Sequence, residues 1–99
     1  MHADATTYDG KQLAAARALA GLGIRELAAA AGVTPRTLHR LETSGVIYVS
    51  EKKRHGHVQR AVWERIMAAL AEAGVELLAE KGSFGPEVRW TAPQDPRDE

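Results

Sequence analysis

Between residues 24 and 43 the apolar positions fall at helical spacing twice, with a break between the two runs. Leu27, Ala28 and Ala31 lie three and four apart, which makes one face of a helix over about Ile24–Ala31 apolar. Gly32 stops that helix, because glycine takes the left-handed conformation of a helix end without a Cβ clash. Val33 is apolar and plugs the angle of the turn. Thr34 and Pro35 restart the chain: threonine caps an orphan amide, and proline fits the first helical position, where no N–H is needed. Leu38 and Leu41 then form the inward stripe of a second helix over 34–43, and Ala28 is small where the two helices approach most closely. The pattern predicts two short helices joined by a tight turn. The second leaves Arg36, Thr37, His39 and Arg40 on the face it does not bury.

The flanking pattern predicts further elements. Residues 11–20 read as an earlier helix with Leu13 and Ala16 or Ala20 inward, and Gly21-Leu22-Gly23 as its connection. Residues 1–10 are polar and read as a flexible N-terminus. They hold no Lys or Arg, which argues against a minor-groove arm. Val46-Ile47-Tyr48-Val49 has strand-like composition, and the following residues to His57 are polar and mostly basic, so 46–57 reads as a basic insert. Over 57–73, Val58, Val62, Ile66 and Leu70 repeat every four residues and predict a strong helix. Trp63 falls one residue off that stripe, at its edge or at a subunit contact. Gly74 ends the helix. A short β-hairpin is expected with 75–79 against Glu87–Trp90, across a turn at 82–86. Residues 91–99, Pro-rich and acidic, read as a disordered tail.

Composition narrows the class. Ninety-nine residues suggest one domain, with 11–74 as its body and 75–90 as a hairpin suited to dimerisation. Hydrophobic content is 44% with only 5% aromatic, so the core is expected to be Leu, Val, Ile and Ala. There is no cysteine, which removes disulfides, zinc ribbons and thiol chemistry. No apolar run reaches membrane-spanning length, and the start lacks the pattern of a signal peptide, so a cytoplasmic protein is expected. Net charge is zero, but unevenly distributed: residues 1–60 hold nine Lys/Arg against five Asp/Glu, whereas 61–99 hold four against eight. The helix pair lies in the basic part, and local potential is what steers binding to an anionic partner.

Leu13 and Arg17, then Leu27-Ala28, Gly32-Val33-Thr34, Leu38, Leu41, Glu42 and Gly45, make residues 11–45 resemble the helix-turn-helix of Cro/repressor-type (XRE-like, lambda-repressor-like) transcription factors of bacteria and phages. The resemblance covers roughly a third of the chain. It implies a mainly α fold, a lambda-repressor-like helical bundle, here with a short C-terminal β-hairpin. It further implies a sequence-specific DNA-binding regulator: a homodimeric repressor whose two 34–43 helices enter successive major grooves of a palindromic operator, about 34–36 Å apart. A structural salt bridge between Arg17 and Glu42 is implied as well, against the alternative of an Arg17–phosphate contact. The chain departs from the family at Gly23 and Ile24, where a polar cap and a backbone-touching glutamine are common; Arg25 is the substitute. Residues 73–78, the Gly-rich turn and Val88-Arg89-Trp90 resemble the tail of one group of small proteobacterial regulators carrying this motif.

Base reading falls to Arg36, Thr37, His39 and Arg40. Arg36 and Arg40 stand at i and i+4, and a bidentate arginine–guanine pair is worth about 1–3 kcal/mol of discrimination. Thr37 suits a thymine methyl or a phosphate, and His39 lies at the edge of the reading face. Backbone contact falls to Arg25, Thr34, Lys52, Lys53 and Arg54, each neutralised phosphate releasing counterions; the alternative for the loop is an ordinary solvated segment. His55 and His57 form a His-x-His pair near Glu51, but a metal ion needs a third or fourth fixed ligand and no cysteine is available, so no metal site is assigned. Their protonation near pH 6 would strengthen a DNA contact. No cofactor is expected. An enzyme is excluded by the lack of a nucleophile–base set, a phosphate loop or paired carboxylates. The expected partners are double-stranded DNA and a second copy of the chain. Competing readings are an antitoxin whose tail binds a toxin, with a toxin or antirepressor as protein partner, and a protein-interaction module that has lost DNA binding.

Overall fold

The computed structural model describes residues 5–78 and 87–90, with side chains over 6–78. The expectations for residues 1–4, for the hairpin turn at 82–86 and for the tail at 91–99 lie outside the described residues. The elements run β1 (Ala5–Asp9), α1 (Gly10–Leu19), α2 (Ile24–Ala31), α3 (Pro35–Glu42), β2 (Val46–Ser50), β3 (His57–Gln59), α4 (Arg60–Glu72), β4 (Val75–Leu78) and β5 (Glu87–Trp90). Among the described residues the fold is α-rich, with four helices, a three-stranded sheet in the order β1-β2-β3 and a separate antiparallel β4-β5 pair. No helix among them is long and apolar enough to cross a membrane.

The helix pair forms as local chemistry dictates. Gly32 ends α2 at φ +72°, and its N–H and that of Val33 return to the Ala29 and Ala28 carbonyls. The Thr34 hydroxyl caps α3, accepting from the Thr37 N–H at 3.1 Å, with Pro35 at the first helical position. Leu38 and Leu41 turn inward to meet Leu27, Ala28 and Ala31 of α2 and Leu13 and Ala16 of α1. Ile47 and Val49 of β2 add to this core while Val46 and Tyr48, at alternate positions, stay exposed.

The N-terminus is a correction to the sequence reading. Residues 5–9 are not loose but form β1, antiparallel to β2 in register from Ala5↔Ser50 to Asp9↔Val46. Thr6, Thr7 and Tyr8 are strand formers, and the Tyr8 ring packs 4.6 Å from that of Trp63, an apolar partner far along the chain. Asp9 then caps α1 by accepting from the Lys11 N–H at 2.8 Å. Gly10 starts α1 buried against the end of α3. A Cβ there would stand 2.5 Å from the Leu41 carbonyl oxygen, 2.8 Å from that of Glu42 and closest of all to that of Ser44. The N-terminus of α1 thus abuts the carbonyl end of α3, which also pairs opposite helix-dipole ends.

The helix expected from His57 begins at Arg60 instead. His57–Gln59 is β3, parallel to β2 from Tyr48↔His57 to Ser50↔Gln59. Consequently Val58 belongs to a strand, and the inward stripe of α4 is Trp63, Ile66 and Leu70, with Val62 only half-buried. Trp63, expected at an edge or a subunit contact, is 1% exposed and lies in the core. Arg65 ties α4 to α2 by donating from Nε to the Ala31 carbonyl at 2.9 Å, one of the acceptors a helix end leaves open.

Candidate nucleic-acid interface

With Leu38 and Leu41 buried, helical geometry leaves Arg36, His39 and Arg40 exposed on α3 and Thr37 half-buried. Arg36 and Arg40 share a face one turn apart. Neither arginine, nor the His39 ring, makes a side-chain hydrogen bond or ion pair with the described residues. Their donors point to no partner within the described chain. The Thr34 and Thr37 hydroxyls share one hydrogen bond of 3.0 Å, so one proton of the pair remains to donate outward.

The orientation of α3 is fixed at its far end by Glu42. Arg17 grips that carboxylate with a two-pronged fork, Nε to Oε2 at 2.6 Å and Nη2 to Oε1 at 2.9 Å, while Nη1 donates to the Leu22 carbonyl at 3.1 Å. The Glu42 side chain is 6% exposed. The hydrogen bonds that Arg17 donates to Glu42, opposed by partial burial and reinforced by the carboxylate charge, hold the guanidinium above its ordinary pKa. With these donors engaged, Arg17 is a structural clamp rather than a phosphate ligand. On α2, Arg25 is exposed, and Glu26 supplies the cap that Gly23 lacks by accepting from the Gly23 N–H at 2.6 Å.

Lys52, Lys53 and Arg54 are exposed in the loop between β2 and β3. The loop is anchored by side chains that sequence reading missed. Ser50, 1% exposed, donates to the Lys52 carbonyl at 3.1 Å and meets His57 Nδ1 at 3.1 Å. Tyr48 stacks on the His57 ring at 5.2 Å and 19°. Arg60 bridges the loop to β1, pairing with Glu51 at 2.5 Å and donating to the Thr6 hydroxyl at 3.2 Å. Beyond the Ser50 bond to Lys52, none of these contacts has a short-range sequence signal: Ser50 and His57 are seven residues apart, Glu51 and Arg60 nine, and Thr6 and Arg60 fifty-four.

The loop returns to α3. Arg40, Leu41 and Ser44 on one side and His55, Gly56, His57 and Val58 on the other line a pocket of about 340 Å³. Arg40 of the exposed α3 face and the His-x-His pair of the basic loop, which the sequence suggested separately, therefore border one cavity, whereas Arg36, Thr37, His39, Lys52, Lys53 and Arg54 do not line it. Arg25 is not among its lining residues. A larger groove of about 500 Å³ beside α4 and β4, lined by Tyr8, Met67 and Leu77 among others, contains none of the suggested site residues. Comparison with protein-family models gives no match, and comparison with curated proteins finds none similar.

Proposed function

We propose that the chain is a sequence-specific DNA-binding transcriptional regulator of the Cro/repressor helix-turn-helix type, acting in the bacterial cytoplasm as a homodimeric repressor. The reading is carried by one observation: α3 presents Arg36, Thr37, His39 and Arg40 outward, with both arginines unengaged by the described residues, beside a loop bearing Lys52 and Lys53. A helix fits the major groove, where guanine offers two acceptors that a guanidinium meets in a bidentate pair. The loop cations neutralise flanking phosphates, which adds affinity without adding sequence preference. A single short helix reads only a few base pairs, so a palindromic operator and two copies supply the rest of the specificity.

Fluorescence anisotropy at fixed salt tests this, using a duplex carrying the region upstream of the chain's own gene and an unrelated duplex of equal length. Wild type should prefer one upstream segment by about a thousandfold or more. The Arg36→Ala/Arg40→Ala variant should lose about 5- to 150-fold per arginine on that segment, and far less on the unrelated duplex. Equal, weak binding of both duplexes by both proteins defeats the proposal and leaves a protein-interaction module.

A further inference from the structure

We infer that the pocket between the end of α3 and the 51–57 segment seats one backbone phosphate of the bound duplex, held by His55 and His57 beside the base-reading Arg40. The inference rests on the DNA-binding reading and gives that site a second, chemically distinct component.

The pocket is built for an anion. Arg40, His55 and His57 line it, and no carboxylate does. The two acidic groups on the elements around it are each committed elsewhere, Glu42 to Arg17 and Glu51 to Arg60. Besides Arg40 on α3, the ionisable groups around His57 are Tyr48 on β2, stacked on its ring; Lys52, Lys53, Arg54 and His55 in the loop; and Arg60 on α4, occupied by Glu51. The end of a helix ordinarily repels anions through its open carbonyls. Here three of the last four are covered: Arg40 O accepts from the Ser44 hydroxyl at 2.9 Å, His39 O from the Thr43 N–H at 3.0 Å, and Leu41 O from the Ser44 N–H at 3.2 Å, with the one Thr43 hydroxyl proton shared between His39 O and Arg40 O at 3.0 and 3.2 Å.

Hydrogen-bond bookkeeping sets the state of His57. The Ser50 hydroxyl has one proton, and donating it to the Lys52 carbonyl leaves only its lone pairs for His57. Nδ1 is then the donor, so the neutral ring has Nε2 as an acceptor and offers nothing to a phosphate oxygen. Protonation converts Nε2 into a donor and adds a charge. Phosphate seating should therefore strengthen when the ring is protonated.

The test is the salt dependence of affinity for the upstream and unrelated duplexes at about pH 5.5 and about pH 7.5. One more neutralised phosphate steepens the slope of log K against log salt by about 0.9, an additional loss of about 3.5-fold between roughly 50 and 200 mM. Wild type should show that steepening at the lower pH on both duplexes. His57→Asn keeps a donor for Ser50 but removes Nε2, and should abolish the change while the circular dichroism spectrum stays that of the folded protein. A wild-type slope equal at both pH values, or a steepening that survives His57→Asn, overturns the inference while leaving base reading intact. A second arm titrates inorganic phosphate into the DNA-free protein and follows the His57 ring protons by NMR. Saturation at micromolar phosphate with a pH-independent DNA slope assigns the pocket to free phosphate and overturns the DNA assignment. If neither duplex binds specifically, the proposed function falls on its own, and an unshifted His57 ring in the phosphate titration overturns the anion seat separately.

Discussion

A single methyl group at position 10 interrogates the junction that sets the end of α3. Helix propensity alone says Gly10→Ala should help, by up to about 1 kcal/mol, because alanine is the better helix former. The geometry says the opposite. The added Cβ would stand 2.5 Å from Leu41 O and 2.8 Å from Glu42 O, and closer still to Ser44 O. All three are backbone atoms, so no side chain can swing aside, and α1 must back away from α3. Overpacking of this kind costs about 1–3 kcal/mol, and three simultaneous backbone overlaps place it at the top of that range. Subtracting the propensity gain leaves about 2 kcal/mol of destabilisation, or about 8–16 °C in melting temperature for a domain of this size. Thermal and urea unfolding followed by circular dichroism measures it. Gly32→Ala is the control: its Cβ would meet only Arg65 Nε at 3.6 Å, so it pays the left-handed backbone cost at φ +72°, about 1–2 kcal/mol, with no steric overlap. A Gly10→Ala protein as stable as wild type, or more so, refutes the close approach of α1 to α3.

Four further outcomes follow from the same geometry. Arg17→Ala strands the buried Glu42 carboxylate and should cost about 3–5 kcal/mol by urea unfolding, with Arg17→Lys recovering only part because an ammonium cannot fork; a cost under about 1 kcal/mol refutes the clamp. Because the Arg17 pKa is raised, its contribution is complete below the ordinary arginine range and is lost only as pH climbs through the raised value, so the wild-type minus Arg17→Ala difference should stay flat between about pH 6 and pH 9. Lys52→Ala/Lys53→Ala should weaken operator and unrelated duplex alike and lower the salt slope by about 1.8, and selective loss on the operator would contradict a backbone role. Arg60→Ala frees Glu51, which is 65% exposed, so stability should fall by at most about 1 kcal/mol while hydrogen exchange over 51–56 accelerates; unchanged exchange there shows that the pair does not anchor the loop.

The elements legible from sequence are those whose signals are local. Gly32, Thr34 and Pro35 punctuate the helix pair within a few residues, and Leu38 and Leu41 declare their face by spacing alone. β1 was not legible, because Thr6, Thr7 and Tyr8 become a strand only through β2, some forty residues later, and Trp63, further still. The α4 stripe was legible at Ile66 and Leu70 but not at its start, where Trp63 rather than Val62 turns inward, for a related reason. Val58 extends the four-residue repeat on paper, yet its backbone belongs to β3, so the true helical register starts at Arg60 and points Trp63 inward. Of the candidate site, the exposed residues of α3 and the loop cations were readable as types at positions. The pocket that Arg40 shares with His55 and His57 was not, since it depends on where the loop turns back.

That turn has a specific geometric cause. Asp9↔Val46 pairs the residue entering α1 with the first residue of β2, which follows α3 after only residues 43–45, so the sheet holds the start of one helix near the end of the other. β2 then carries the chain away to Ser50. An ordinary hairpin would pair Ser50 closely with the start of the next strand and leave no room for a loop beside α3. Instead β3 runs parallel to β2, and its first residue pairs back at Tyr48, although only residues 51–56 separate the strands where parallel connections usually take a dozen or more. The loop must therefore double back, and the His57 N–H to Arg54 carbonyl bond of 3.0 Å closes that return. Doubling back is what sets His55 and His57 opposite Arg40. The parallel pairing, unremarkable as two strands in isolation, is thus the feature that converts a basic loop into one wall of a pocket whose other wall is the exposed helix.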